Sequence, residues 1–124
     1  MEKEDILIEL ANLEKIGATL LVIGYSLFVV GANIDVTEIL EIDEDGPKAT
    51  TVTLNGAEIV LIGYVVLWIV AEKRFIISQE TNNETIYPYK KLAYSYILSI
   101  LANSLRVQAL GEIDVLSASG IVFA

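Results

Sequence analysis

The segment GATLLVIGY, residues 17–25, returns farther along the chain as GAEIVLIGY, residues 56–64, with Gly, Ala, Ile, Gly and Tyr unchanged and apolar residues at most positions between. Both copies run on in apolar sequence, to Ala32 and to Ala71. A segment that is apolar around its whole circumference is a hydrophobic helix that needs cover on every side. The repeat therefore reads as one helical packing unit used twice.

Composition agrees with that constraint. Apolar residues make up 54% of the 124 positions and mean hydropathy is +0.58, against about 45 to 50% apolar residues in ordinary soluble domains. A single domain of this size buries only about two-thirds of its unfolded surface, so lipid or further subunits must cover the excess. The 17 acidic and 8 basic residues give a net charge of -9, which argues against nucleic acid or an anionic headgroup surface as the main partner. Five acids fall between Glu2 and Glu14 and six more between Asp35 and Asp45, so the apolar stretches carry almost no charge. Cysteine and histidine are both absent, which excludes thiolate chemistry and removes the commonest general base and metal ligand. The acidic start Met1-Glu2-Lys3-Glu4-Asp5 differs from the basic start of a secretory signal, and the first apolar run is read as a retained helix.

The spacing predicts a single domain, 1–124, that is mainly α: three hydrophobic, transmembrane helices joined by short β-hairpins, with a short β tail. Asp5 can cap a first helix over 5–34. Its uncharged run, Ile16 to Ile34, makes about 28 Å of helix, close to the ~30 Å hydrocarbon core. The second helix is placed at 56–73, a short span because Glu58 and Glu72 bracket its uncharged part closely. The third, 88–110, spans if Arg106 is sheltered or reaches an interface. Hairpins are expected at 36–54, around Asp43-Glu44-Asp45-Gly46-Pro47, and at 75–87, around Asn82-Asn83, from their β-branched content. Gly111 reads as a helix C-cap, followed by an extended tail over 112–124. Lys3, Lys15, Lys73, Arg74, Lys90 and Lys91, with Trp68, Tyr87, Tyr89, Tyr94 and Tyr96 nearby, predict an inside N-terminus. The expected location is a bacterial cytoplasmic membrane.

Small residues recur every seven positions: Gly17, Gly24 and Gly31; Gly56 and Gly63; Ser95, Ala102 and Ala109. Each set lines one helix face and lets another backbone come close, which in lipid replaces the drive that water supplies elsewhere. Glu58 and Arg106 stand alone among apolar residues, and an ionisable group in hydrocarbon seeks a partner, so they form a candidate intramembrane ion pair. Asn103 and Gln108 are candidates for hydrogen bonds between helices.

Other patterns carry less chemistry. Glu41 to Gly46 imitates the start of a calcium loop, but position 12 is Val52 where a bidentate Glu is required. Asn83-Glu84-Thr85 is a glycosylation sequon on the expected inner side. Serines 95, 99, 104, 117 and 119 have no histidine partner and no nucleophile-elbow context, and no glycine loop suits a phosphate. No catalytic, metal or cofactor site is expected. The reading is a small polytopic membrane protein with a structural or interaction role, partnered by the bilayer and by copies of itself or a larger membrane complex. The alternatives are a pore-forming or holin-like channel and a filament or shell subunit whose apolar helices lie between copies.

Overall fold

The computed structural model describes residues 2–41, 46–81 and 84–119. Three helices account for nearly all of them: α1, Lys3–Ile39; α2, Ala49–Glu80; and α3, Ile86–Ala118. Successive helices run antiparallel across short connections. α2 is central and packs against both others, whereas no Cα atom of α1 comes within 8 Å of one in α3.

The expected hairpins and β tail do not form: there is no strand among the described residues. Residues 36–39 continue α1, 49–54 open α2, 75–80 close α2, and 112–118 continue α3; the turn residues 42–45 and 82–83 and the end of the tail, 120–124, lie outside the described residues. The β-branched content that suggests strands lowers helix propensity by only a few tenths of a kcal/mol per residue. None of these four helical pieces, 36–39, 49–54, 75–80 and 112–118, contains a Gly or Pro to stop a helix already under way. Gly111 is likewise not a cap but an interior residue of α3, with nothing within 4 Å of where a Cβ would stand.

The breaks fall where backbone chemistry requires them. α1 ends at Leu40, and Glu41 adopts φ 55, the left-handed conformation that commonly closes a helix. Gly46 has φ 120, open to glycine and strained for other residues. Lys48 is extended and α2 starts at Ala49, whose free N–H donates to Glu38 Oε2 at 3.1 Å, so α1 caps its neighbour across the connection. At the opposite end Ser78 and Thr85 hydroxyls meet at 2.9 Å between α2 and α3. Pro88 sits in the first turn of α3, where no intrahelical N–H is lost.

α1 and α2 are long and apolar enough to cross a membrane; α3 falls short of that measure. Only 17% of the apolar window of α1 and 39% of that of α2 are buried within the chain, so neither is the enclosed core helix of a small globule. The buried apolar residues are few and, apart from Leu10 and Leu67, small, among them Ala57, Val60, Val70, Ala71 and Ala93, while Val22, Val29, Leu98 and Leu105 are more than 60% exposed.

Extending α2 back to Ala49 changes its length as a span. From Ala49 to Ala71 its one charge is Glu58, and the stretch makes about 34 Å of helix. It lies beside Ile16–Ile34 of α1 and Leu92–Gly111 of α3. The three form a common apolar slab, bounded at one end by Lys15, Lys73, Arg74, Lys90 and Lys91 and at the other by Asp35, Glu38, Glu112 and Asp114.

Candidate functional site

The repeated unit forms the α1–α2 contact. A Cβ built on Gly24 would stand 2.7 Å from the carbonyl oxygen of Gly56, and one on Gly56 would stand 2.7 Å from that of Gly24. Gly63 faces the Gly17 carbonyl at 3.0 Å, and Gly31 faces Ala49 and Thr53. No side chain fits between backbones this close. The pairing is reciprocal, because the offset of the repeat carries Gly17 to Gly56 and Gly24 to Gly63. α1 and α2 thus meet as an inverted repeat about a local two-fold axis perpendicular to the helices. Tyr25 and Tyr64 map onto each other, and their hydroxyls meet at 3.0 Å.

The third set of small residues is placed differently. Ser95, Ala102 and Ala109 are exposed, and α3 packs on α2 through Ala93, Tyr96, Asn103 and Asp114 instead. Asp114 Oδ1 accepts from the hydroxyls of Thr50 at 2.6 Å and Thr51 at 2.9 Å, which fixes the register of α3 on α2.

Within the apolar slab these contacts assemble a polar cluster on one side of α2. The Tyr64 ring lies 6.3 Å from that of Tyr96. Buried Asn103 donates through Nδ2 to the Ser99 carbonyl at 2.7 Å and accepts at Oδ1 from Arg106 Nη1, also at 2.7 Å. The Arg106 charge is near enough to act on Tyr64. Tyr25, Tyr64, Tyr96, Asn103 and Arg106 therefore line the groove between α1 and α3, with α2 as its floor. The sequence marks Asn103 and Arg106, and the Tyr of the repeat; what it conceals is that the packing brings them to one place.

Glu58 and Arg106 do not pair with each other. The ion pair among the described residues is instead Arg74 with Glu14, through Nη1 to Oε2 at 2.8 Å and Nη2 to Oε1 at 3.2 Å, at the basic end of the slab. Glu58 lies two positions from both Gly56 and Val60, about 160 to 200° around the helix from α1. It points away from the groove that holds Arg106. Gln108 is exposed on α3.

Trp68 lies on the α3 side of α2 with its indole nitrogen enclosed and without a hydrogen-bond partner. No group of three or more acidic residues suited to a metal occurs among the described residues, and most of the calcium-like turn lies outside them. The arrangement offers hydrogen bonding and one fixed positive charge in an apolar setting, which suits binding and helix assembly. Comparison with protein-family models, curated proteins and solved structures gives no match for this chain.

Proposed function

We propose that this chain is a small polytopic membrane protein with a structural or interaction role, its three helices lying together across a bilayer and associating with copies of the chain or with a larger membrane complex. The observation that carries the reading is the exposure of the apolar helices α1 and α2, whose glycine faces are already spent on each other. What remains open is apolar side-chain surface. Lipid or another subunit must cover it, since soluble chains rarely expose contiguous apolar area on this scale.

α3 is the third span in this reading, carried by its packing on α2 and by the stretch Leu92–Gly111, charged only at Arg106, which runs beside the apolar segments of the other two helices. The end bearing Lys15, Lys73, Arg74, Lys90 and Lys91 faces inward, following the bias of basic residues toward the cytoplasmic side. Self-association through the glycines of α1 and α2 has no free surface left to use, so contacts between chains fall to the surfaces that pairing leaves open: the outer face of α2 and the exposed sides of α1 and α3, including the groove between them. Membrane fractionation tests the proposal. The protein stays with membranes through a carbonate wash and leaves only with detergent; recovery as a large soluble particle would make it a self-assembling subunit whose helices are covered by its own copies.

A further inference from the structure

The placement of Glu58 and Arg106 points beyond a general capacity to associate. Counting from the contact of Thr50 with Asp114, Glu58 lies two helical turns along α2 and Arg106 the same distance back along antiparallel α3. The two charges are therefore at one height, about 12 Å inside the slab. Yet they face opposite sides of the molecule. Arg106 is on the groove side with Tyr64, and Glu58 is on the outer side, beside Ile62, which is 54% exposed.

We infer that a second copy of this chain binds head to tail, with Glu58 on the outer face of α2 in one copy seated against Arg106 in the groove of the next. The inference rests on the membrane reading above and names the partner and the contact. Charge complementarity carries it: an arginine cannot shed its proton to escape hydrocarbon, no carboxylate of the same chain lies within ion-pair distance among the described residues, and an unpaired acid is presented at matching height on the opposite face. Copies with the same orientation in a bilayer are related by rotation about its normal, which preserves height. The pair thus forms without a vertical shift. The exposed small residues Ser95, Ala102 and Ala109 lie on α3 toward the same side as Arg106, where they give the incoming helix room to approach. Since the two surfaces differ, the contact repeats, closing into a ring or running on as a row.

Charge reversal in the full chain, reconstituted in liposomes, tests this contact, with association read by energy transfer between labelled copies. Glu58→Arg alone and Arg106→Glu alone are each expected to weaken association by about tenfold or more. Mixing the two variants restores it, because each outer face then meets a groove of opposite sign. A pair formed within one chain, or variants that simply fail to fold, would not be rescued by mixing. Glu58→Gln and Arg106→Gln, milder changes, should weaken association in the same direction. Reversals that leave association unchanged, or losses that mixing does not repair, overturn the head-to-tail contact while leaving the membrane reading intact. A wild-type chain that stays monomeric at every protein-to-lipid ratio removes the contact and self-association together, and carbonate extraction reports separately on membrane residence.

Discussion

Gly24 and Gly111 are both interior helical glycines, and they should respond in opposite ways to the same substitution. At Gly24 an added methyl meets the Gly56 backbone at 2.7 Å and Val60 Cγ2 at 2.5 Å, so Gly24→Ala forces α1 and α2 apart. A loss of about 1 to 3 kcal/mol is expected. At Gly111 the space is empty, and Gly111→Ala should stabilise by about 0.5 to 1 kcal/mol through the unfolded chain and helix propensity. Thermal melts of the two variants in one detergent, followed by circular dichroism, should move in opposite directions; movement together would mean that the glycine contact does not hold the helices. Trp68, the single tryptophan, gives a second residue-level check. Its enclosed, unpartnered nitrogen predicts emission shifted to the blue and poor quenching by acrylamide in the folded protein, with both lost on unfolding.

Between elements, the glycine face of α1 and α2 is legible from sequence because the requirement is steric: a heptad recurrence of glycine in a helix has few uses other than close approach. The hairpins mislead for an equally physical reason. Val36, Thr37 and Ile39, and Thr50 to Thr53, favour strands in isolation, but these positions extend helices already nucleated and are fixed by contacts made elsewhere. Thr37 donates to the Ile34 carbonyl at 2.7 Å within α1, while Thr50 and Thr51 hold Asp114. No pattern in the sequence announces that last contact, since its partners stand near opposite ends of the two helices' combined length of chain. It secures the C-terminal half of α3. Asp114→Ala removes the acceptor of two hydroxyls and should cost about 1 to 3 kcal/mol, seen as faster amide exchange in the last turns of α3 while α1 is unaffected. Uniform protection along α3 would show that the contact is dispensable.

At the level of the whole molecule the charges divide by end. Basic side chains of all three helices gather beside the chain's own N-terminal acids, and the opposite end is acidic, with Lys48 its one described basic residue. If the proposed bilayer setting holds, reversing that bias, by adding lysines near Asp35 and Glu112 and replacing Lys73, Lys90 and Lys91 with Gln, should turn the molecule over in the membrane. Labelling of single cysteines by a membrane-impermeant reagent would register the change, and the cysteine-free chain makes such labels unambiguous. An orientation that ignores the reversal would mean that something other than basic residues sets it.

The separation of the α1 and α3 backbones, none of whose Cα atoms approach within 8 Å of each other, has a consequence for how the chain is made. Everything that holds α1 to α2 lies ahead of Thr81, so that hairpin can close, and under the membrane proposal enter the bilayer, while the ribosome is still adding the remainder. α3, less apolar and carrying Arg106, then emerges beside a completed template that already presents Thr50, Thr51 and Tyr64. Assembly acquires a direction, from a self-sufficient pair to a dependent third member, and stopping synthesis before α3 should leave a stable two-helix product rather than a misfolded fragment.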